Sequence, residues 1–497
     1  MPGTSPGMTD GWPGPSMKFP DGARRRNKRA DPMDAQTLSR QDLSRQDLRS
    51  FLAAFEAAHP DQVLRVTDEV DLDYDTTAIA FEFEKRGSPI LIFENVKGSR
   101  FPVLMNVFGR RSRFAAALGV PEDKLIEAWS AVDAAPIKPE VVKSGPILDV
   151  VLKGDAVDLS YLPIMRHFRE DGGPYITNAM FIAKDPETGV RNASFHRMQM
   201  NGKTRFGTSL HSRRHLWNLA RKASAMGLKE MPVVVVVGCH PLITFGAGLW
   251  KGPISADEYE MAGGFLGEPL KVVEGVTGPI EIPAFAEVAI EGKLLLDADE
   301  NEGPFGEFTG YASERSTRNA VEVTGILHRR DAFYQNIVAG ISDEHTLLLG
   351  VSQEARQLKS LRVHYPNVTA VSYPKSGTCL LHTYIAVKNP APGEAANIAA
   401  AAFGDNLSLK LVIVVDDDID VHDEEQVMWA VCTRFQANED MELIRNGMGA
   451  ILDPSNRNGA TAKLTIDATC KKRPYARRHS LPDDVKEKAR ALVAKLA

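Results

Sequence analysis

The chain contains little cysteine and no paired cysteine motif. Its 497 residues include four cysteines, Cys239, Cys379, Cys432 and Cys470. No two of them form a C-x-x-C pair, so the sequence indicates neither a disulfide framework nor a thiolate zinc site. Scattered single cysteines are typical of proteins in a reducing compartment, and we expect a cytoplasmic location.

Long hydrophobic runs and an excess of basic charge are also lacking. No apolar run reaches the roughly 18 residues that a membrane span requires, and the first residues do not contain the apolar core of a secretion signal. We therefore expect no membrane partner. The net charge of −6 argues against nucleic acid as the main partner. These absences leave small molecules and other protein chains as the expected partners.

What is present predicts a soluble α/β protein of several domains, because 497 residues exceed the size of a single core. Residues 1–45 lack apolar periodicity and contain a basic run, so we predict a disordered extension. Residues 46–145 alternate short helices and strands, as a small α/β domain does. Residues 146–330 are rich in short strands and turns, which favours a barrel or sandwich. Residues 331–497 return to an α/β pattern that ends in an amphipathic helix.

The segment "NEGPFGEFTGY", residues 301–311, places Glu302 and Glu307 around a Gly-Pro-Phe-Gly bend. Such a bend can fold two carboxylates back towards each other beside the aromatic rings of Phe305, Phe308 and Tyr311. Two close carboxylates in an apolar wall do not both ionise readily, which keeps a proton donor protonated near neutral pH. The alternative is a turn at the end of a strand with two solvated acids.

Three further segments concentrate reactive side chains. The first, "RNASFHRMQM" at 191–200, predicts a half-polar strand with Asn192 and His196 on one face and Arg197 on the other. The second, "HSRRHLWNLARKA" at 211–223, places His211 and His215 four residues apart at the start of a helix. That spacing suits zinc, but the H-E-x-x-H glutamate is lacking, and a harder metal or a phosphate at the helix N-terminus remains open for His215.

The third segment, residues 245–274, is a glycine-rich loop followed by the acidic cluster Asp257, Glu258 and Glu260. The spacing of its glycines matches neither the dinucleotide fingerprint nor a P-loop. No G-x-S-x-G motif is present, so a serine hydrolase elbow has no support.

The order of these segments resembles the UbiD-like family of prenylated-FMN decarboxylases. The shared pieces are an Asn five residues before an Arg, "RHL" opening a helix, a Gly-rich loop with a Glu before "AGGFLGE", then "EGPFGE" and "KLVIVVDDDID". The resemblance covers roughly residues 48–475. It implies three parts: an N-terminal α/β domain, a central flavin-binding split β-barrel, and a C-terminal α/β domain that forms a homodimer, in some members within a homohexamer.

The resemblance also implies a set of ligands for the cofactor. Asn192, His215 and Glu258 match the ligands of a divalent metal, Mn²⁺ or Mg²⁺, that bridges to the flavin phosphate. Amide oxygen, imidazole and carboxylate suit such a cation. Further positions that match cofactor contacts are Thr177, Ser194, Arg197 and Lys410, with Lys410 placed to neutralise the phosphate. Arg434 resembles a basic residue near a second site, for a monovalent cation such as K⁺.

The catalytic set implied by the resemblance is Arg197, Glu302 and Glu307. Loss of CO₂ leaves electrons on carbon that no side chain can accept, so a cofactor must take them. Glu307 is then expected to protonate the carbon, while Glu302 orients Arg197 and Arg197 binds the substrate carboxylate. A separate flavin prenyltransferase is the expected supplier of the cofactor.

The substrate pocket is expected to include His196, His345 and Leu348. An apolar Leu348 favours a fused aromatic or α,β-unsaturated acid, whereas His196 or His345 can supply a hydrogen bond in place of a polar residue at that position. Ala193 departs from the Trp that some members carry beside the metal-binding Asn, which affects the monovalent site.

The sequence thus predicts a reversible, non-oxidative decarboxylase of an aromatic, heteroaromatic or α,β-unsaturated acid that releases CO₂. Two alternatives remain open. One is a flavin-free, metal-dependent hydrolase that uses the carboxylates and His215. The other is a catalytically silent binding or assembly member of the same fold.

Overall fold

The structure is a computed structural model, and it describes residues 46–132, 135–210, 214–314, 316–470 and 478–496. The predicted extension at 1–45 and His211 lie outside the described residues. None of the described helices is both long enough and apolar enough to cross a membrane.

Helices flank the sheets throughout the described ranges. They are α1 (Leu48–Ala58), α2 (Asp75–Glu84), α3 (Arg111–Leu118), α4 (Leu125–Val132), α5 (His215–Ala225), α6 (Pro241–Ile243), α7 (Glu258–Leu266), α8 (Asp343–Arg362), α9 (Glu394–Asp405), α10 (Glu424–Arg434) and α11 (Asp483–Leu496). A π-helical turn, Thr244–Leu249, follows α6.

The strands of the described residues form four sheets. They are β1 (Val63–Val66), β2 (Ile90–Phe93), β3 (Val103–Met105), β4 (Glu140–Val141), β5 (Val150–Lys153), β6 (Tyr175–Ile176), β7 (Met180–Lys184), β8 (Arg191–Phe195), β9 (Met198–Met200), β10 (Arg205–Thr208), β11 (Glu230–Val237), β12 (Lys271–Val273), β13 (Ile282–Pro283), β14 (Val288–Glu302), β15 (Ser316–His328), β16 (Tyr334–Asn336), β17 (Val368–Ser372), β18 (His382–Val387), β19 (Leu411–Asp416), β20 (Met441–Met448) and β21 (Ala460–Asp467).

The first sheet has the order β1-β2-β3-β16. Its last member comes from far along the chain: Tyr334 of β16 lies opposite Val103 of β3 in parallel register. The segment that leads from the central part of the chain into α8 therefore starts inside the first sheet.

The central sheet has nine strands and curls into a half-barrel. Its strand order is β6-β9-β10-β15-β14-β11-β7-β8, with β5 paired to β15. The run of valines in β11 is almost fully buried, as expected for a strand covered on both faces. The strand β14 ends at Glu302. Residues 302–308, which we call the acid bend, therefore begin where the longest strand of this sheet stops.

The C-terminal sheet has the order β17-β18-β19-β21-β20. The segment "KLVIVVDDDID" at 410–420 contains the buried strand β19, which ends at Asp416. The helix expected to start near His215 is α5, and Gly227 lies just beyond its end at φ +82°. That left-handed conformation ends the helix at little cost for glycine.

The prediction of one continuous strand over 191–200 was wrong. The chain forms β8 up to Phe195 and β9 from Met198, and these two strands pair with different neighbours. His196 and Arg197 lie in the short connection between them, where strand alternation no longer decides the direction of a side chain. Arg197 therefore reaches its partners from the connection between β8 and β9 and not from the face of a strand.

Helix α8 connects the first sheet to the C-terminal part of the chain. Leu348, on this helix, is 4% exposed and packs in a core cluster with Phe108, Phe114, Trp129 and Phe245. The rings of Phe114 and Phe245 stack with their centroids 5.3 Å apart. This apolar contact holds the first turns of α8 against the N-terminal helices.

Candidate functional site

The acid bend brings both predicted glutamates to one guanidinium group. Arg197 donates from Nε to Glu302 Oε1 at 2.6 Å and from Nη2 to Glu302 Oε2 at 2.9 Å. Its Nη1 donates to Glu307 Oε1. The fork on Glu302 is bidentate, the strongest arrangement that an arginine offers a carboxylate. The bend therefore joins the two carboxylates through Arg197.

The network lies in an apolar environment. Glu302 is fully buried, Glu307 is 6% exposed, and the rings of Phe305 and Phe308 are buried beside them. The guanidinium carbon of Arg197 lies 5.1 Å from the centroid of the Phe305 ring. The third predicted aromatic residue does not line this wall, because Tyr311 is 64% exposed. Exclusion of water strengthens each charge–charge contact in the network.

Tyr175 and Gln199 contact the same network, although neither residue belongs to a motif in the sequence. The Tyr175 hydroxyl donates towards Glu302 Oε1 at 3.2 Å and Gln199 Oε1 at 3.0 Å. Burial, together with the neighbouring Glu302 carboxylate, raises the pKa of Tyr175, so the hydroxyl keeps its proton. The segment "DGGPYIT" that carries this tyrosine offers turn residues but no chemical motif from which its role could have been read.

Asn192, His215 and Glu258 form the candidate metal site, and we call them the metal trio. Asn192 on β8 donates from Nδ2 to Glu258 Oε1 at 3.0 Å and lies 3.3 Å from His215 Nδ1. His215 Nδ1 lies 3.7 Å from Glu258 Oε1. Both His215 and Glu258 are the first residues of their helices, α5 and α7. Two helix N-termini and a strand thus bring the three predicted ligands together.

The metal trio fits a divalent cation chemically. Asn192 Oδ1 and Glu258 Oε2 are buried and have no hydrogen-bond partner among the described residues. Buried oxygens without a partner are costly, and a hard cation would satisfy both. Burial raises the pKa of Glu258, although His215 and Asn192 oppose the shift. Within the described ranges, no group of three His, Cys, Asp or Glu side chains is arranged so that it could hold a metal ion, so the amide oxygen is an essential member of this donor set.

A cavity of about 820 Å³ is lined by residues that neighbour Glu258 in the chain, although the members of the metal trio are not among its lining residues. Its lining includes Asp257 and Glu260, which flank Glu258, and the basic side chains of Lys251, Arg356 and Lys359. Lys251 is exposed and lines the cavity near Arg214 and Arg356. The cavity therefore offers cationic side chains to an anion.

Thr177 and Ser194, two predicted cofactor contacts, already have protein partners. Thr177 Oγ1 lies 2.7 Å from both Asn336 Oδ1 and the carbonyl oxygen of Ile337. Ser194 Oγ lies 3.0 Å from Nε2 of His196. His196 is 9% exposed and its ring meets Phe181 edge to face. Each hydroxyl sits at the edge of the central sheet, and its part in cofactor binding stays a prediction.

His345 lies beside the acid bend, whereas Leu348 packs in the core cluster described above. The ring centroids of His345 and Phe308 are 6.3 Å apart. His345 Nδ1 lies 3.0 Å from the Gly340 carbonyl oxygen, which can only accept, so Nδ1 carries the proton. Burial lowers the pKa of His345 to about 4, so the imidazole is neutral near pH 7. His345 therefore has a neutral ring whose Nε2 can accept a hydrogen bond.

Lys410 and Arg434 lie in the C-terminal part of the chain. Lys410 Nζ lies 2.9 Å from Asp453 Oδ2 and 2.5 Å from Ser455 Oγ, and it lines a separate cavity of about 390 Å³. Within the described part of the chain its side chain has no contact with the metal trio. Arg434, at the end of α10, pairs with Asp416 at 2.8 Å and Asp418 at 2.7 Å. Both cofactor and monovalent-ion roles stay predictions for these residues.

Comparison with protein families matches three consecutive domains. The chain matches the N-terminal domain of 3-octaprenyl-4-hydroxybenzoate carboxy-lyase (UbiD) over residues 56–132. It matches the Rift-related domain of the same enzyme over 140–342 and the C-terminal domain over 346–468. Together these matches include every residue of the acid bend and of the metal trio.

Curated relatives include enzymes named as decarboxylases. The chain is 34% identical to an anhydromevalonate phosphate decarboxylase of Methanothermobacter thermautotrophicus, covering 82% of this chain and 94% of that protein. It is 32% identical to a phenolic acid decarboxylase of Bacillus subtilis, covering 87% of this chain and 94% of that protein.

Solved structures with the same fold include flavin complexes. The UbiD-class enzyme HmfF of Pelotomaculum thermopropionicum with FMN has a TM-score of 0.84 and 38% identity, covering 88% of this chain and 98% of that one. An evolved dimeric form of HmfF with prFMN has a TM-score of 0.81 and 35% identity, covering 89% and 98%. Apo 3,4-dihydroxybenzoic acid decarboxylase (AroY) of Klebsiella pneumoniae has a TM-score of 0.82 and 26% identity, covering 90% and 99%.

These matches give no support to the metal-dependent hydrolase or to the silent assembly protein. The sequence relatives, the fold and the paired glutamates agree, and the prediction of the family is confirmed. The chain therefore belongs to the UbiD family of carboxy-lyases and has the fold of a UbiD-class decarboxylase.

Proposed function

We propose that this enzyme is a prenylated-FMN-dependent, reversible and non-oxidative decarboxylase of an aromatic, heteroaromatic or α,β-unsaturated carboxylic acid. The observation that carries the proposal is the contact of Arg197 with both Glu302 and Glu307 in a buried apolar wall. Such a network can hold a substrate carboxylate and deliver a proton at the same place.

The cofactor contributes the electron sink that decarboxylation requires and that no side chain can supply. The metal trio would hold Mn²⁺ or Mg²⁺ through its buried, unpaired oxygens. Lys251 and Arg356, which line the cavity of about 820 Å³, would favour the anionic phosphate of the flavin. Thr177 and Ser194 are the proposed contacts from the central sheet.

Charge balance favours Glu307 as the proton donor. One guanidinium cannot neutralise two carboxylates, and a substrate carboxylate would add a third negative charge to a buried site. One glutamate is then expected to take a proton. Glu302 receives two hydrogen bonds from Arg197 and one from Tyr175. Glu307 receives one from Arg197, so it is the glutamate that we expect to hold the proton.

Protonation of Glu307 weakens its pairing with Arg197 and leaves Nη1 for the substrate carboxylate. Glu302 meanwhile keeps the other face of the guanidinium fixed. After CO₂ is lost, Glu307 delivers its proton to the carbon that carried the carboxylate. Phe305 and Phe308 exclude water from this position, so the proton comes from the side chain and not from solvent.

The substrate class rests on the surroundings of the bend and on the relatives. Phe305, Phe308 and the neutral ring of His345 present flat apolar surfaces with one hydrogen-bond acceptor. Such surfaces suit a planar, conjugated acid. A phenolic acid decarboxylase among the relatives and a 3,4-dihydroxybenzoic acid decarboxylase among the structures support an aromatic substrate.

Other partners are proposed with the cofactor. A flavin prenyltransferase would supply the prenylated FMN, and a K⁺ ion would bind near Arg434. Association of the C-terminal domains as a dimer, or within a hexamer, is supported by the dimeric form described for the HmfF relative.

The first test is production of the full chain together with a flavin prenyltransferase in the presence of manganese. Released small molecules are identified by mass and absorbance, and CO₂ release is measured with a panel that includes 3,4-dihydroxybenzoic acid, other phenolic acids and α,β-unsaturated acids. We expect prenylated FMN in the protein and CO₂ from at least one acid. Well-folded, metal-loaded protein without a flavin would contradict the proposal.

Replacement of Glu307 by glutamine tests the proton donor. The amide cannot deliver a proton, so we expect turnover to fall by at least about a hundredfold, with flavin content unchanged. The matched control is Glu314→Gln, which alters an exposed glutamate of the same segment. Full activity of the Glu307→Gln variant would exclude Glu307 as the acid.

A further inference from the structure

Glu302 is fixed from a pair of strands other than its own. Tyr175 on β6 and Gln199 on β9 lie directly opposite each other in antiparallel register. Both side chains reach the point where β14 ends, and both are buried. The Tyr175 hydroxyl accepts a hydrogen bond from the Gly303 amide at 2.9 Å while it donates towards Glu302. The backbone amide of Gly303 and the carboxylate of Glu302 are thus held by the same hydroxyl group.

Gln199 makes the same amide contact. Its Oε1 accepts from the Gly303 N–H at 2.9 Å and lies 3.0 Å from the Tyr175 hydroxyl. A hydroxyl has one proton, which is shared between the Glu302 and Gln199 oxygens. The two strands consequently fix where Glu302 can place its carboxylate.

Asp171 holds the other end of the bend. Its Oδ1 accepts from the Gly306 amide at 2.9 Å, and Gly306 directly precedes Glu307. Its Oδ2 accepts from the amides of His167 and Phe168 at 3.0 and 2.8 Å. Asp171 is 1% exposed, so these three N–H groups are the contacts that make its burial tolerable. The side chain connects segment 167–171 rigidly to the acid bend.

We propose that Tyr175, Gln199 and Asp171 are positioning residues of the acid network, and this inference rests on the proposed decarboxylase function. Arg197 has to donate to two carboxylates at once, and each glutamate has several rotatable bonds. Without outside support, Glu302 could leave the bidentate fork and Glu307 could move away from Nη1. Contacts of this second layer keep a catalytic group within the small tolerance that proton transfer allows.

Replacement of Tyr175 by phenylalanine tests the inference in the full chain loaded with cofactor. The acid from the panel with the highest CO₂ release serves as substrate. We expect kcat to fall by about tenfold to a hundredfold, as misplacement of a catalytic group costs, while KM changes by less than about twofold. The solvent deuterium isotope effect on kcat should increase, because proton delivery from a misplaced Glu307 becomes slower.

Tyr334→Phe is the matched control. Tyr334 is fully buried, and its hydroxyl has no hydrogen-bond partner in the part of the chain that the structure describes. Removal of that hydroxyl should leave kcat, KM and the isotope effect as in the original enzyme. An unchanged kcat and isotope effect in Tyr175→Phe would overturn the inference.

Two further measurements keep the inference testable. Asp171→Asn retains the size of the side chain but cannot accept hydrogen bonds on both sides, so it should show the same decrease in kcat if Tyr175→Phe fails to fold. A crystal structure of Tyr175→Phe, or of Asp171→Asn, should show a glutamate displaced from Arg197, and an unaltered network would overturn the inference. This structural result does not depend on turnover. Absence of CO₂ release from the original enzyme with every acid would instead count against the proposed function.

Discussion

Arg197 and the metal trio show how few side chains carry the proposed chemistry. Asn192, His215 and Glu258 come from a strand and two helix N-termini, and two of their oxygens are buried without a partner. Their arrangement costs stability unless a cation binds, because desolvated oxygens lose their contacts with water. We infer that metal binding stabilises the region where β8 meets the first turns of α5 and α7.

Glu258→Gln should weaken metal binding and leave the fold intact. The amide is neutral and of similar size, so it removes a charge from the donor set without creating a cavity. We expect the Mn²⁺ affinity, measured by calorimetry, to fall by more than about tenfold. A loss of that size is typical even when only a residue that hydrogen-bonds to a metal ligand is replaced.

Glu260→Gln is the control for that measurement, because Glu260 lies two residues further along α7 and outside the metal trio. Equal Mn²⁺ affinities of the two variants would show that Glu258 is not a ligand.

The acid bend depends on glycine where a neighbouring ring approaches closely. A Cβ atom at Gly306 would lie 2.2 Å from the Phe168 ring, which no real contact allows. Gly306→Ala should therefore displace the bend, lower the melting temperature and reduce turnover. Thermal unfolding and the CO₂ assay check this expectation.

Gly404→Ala is the matched control within helix α9, where an added Cβ meets nothing within 4 Å. It should leave activity unchanged and stabilise the helix by up to about 1 kcal/mol, the helix propensity difference between the two residues. A Gly306→Ala variant as active and stable as this control would contradict the predicted clash.

Helix α8 begins with a buried carboxylate. Glu344 accepts hydrogen bonds from the amides of Asn106, Phe108 and Val338, which ties the first turn of α8 to the first sheet. Burial raises the pKa of Glu344 to about 7, although these amides oppose the shift. The folded protein therefore binds this proton more tightly than the unfolded chain does.

The sign of the pH dependence follows. A raised pKa in the folded state gives a contribution to stability that is complete below the unfolded value near 4.5 and is lost as the pH rises through about 7. We expect the free energy of unfolding to decrease over that window. Glu344→Gln should flatten the dependence in denaturant titrations at several pH values. A variant with the original slope would assign it to other groups.

The C-terminal sheet ends in a strand that exposes apolar side chains on both faces. Leu443 and Ile444 are consecutive residues of β20, and both are more than 40% exposed, at 43% and 44%. Consecutive strand residues point to opposite faces, so neither face of this edge strand is covered by the described chain. Apolar edges of this kind are typical of surfaces that pair with another copy. This feature supports the proposed dimer.

Ile444→Lys should shift the protein from dimer to monomer. A charge on the edge strand opposes pairing with a second copy, and analytical ultracentrifugation measures the result. Lys388→Met, an exposed position near the end of β18, serves as a control that changes charge elsewhere on the same sheet. An Ile444→Lys variant with the original sedimentation coefficient would place the interface elsewhere.

Much of the candidate site followed from sequence because the residue types are unusual in combination. "EGPFGE" carries two acids around a bend, and the order of Asn192, Arg197, His215 and Glu258 along the chain matches a family. The helices and buried strands with a clear period, such as α5 and β19, were also predictable. Local pattern alone was misleading at 191–200, where the chain bends after Phe195 and ends the strand alternation.

The sequence by itself therefore determined the chemistry that is available. It names the two acidic side chains, the arginine and the candidate metal ligands, and it gives their order along the chain. Only the tertiary structure decided which of these distant residues and strands come together. Arg197 meets Glu302 more than 100 residues away, β16 completes a sheet begun by β1, and Tyr175, Gln199 and Asp171 reach the bend from other strands and loops. The reason is physical. A residue's type and local period are fixed by its neighbours in sequence, whereas its partners are fixed by the packing of distant elements around a shared core.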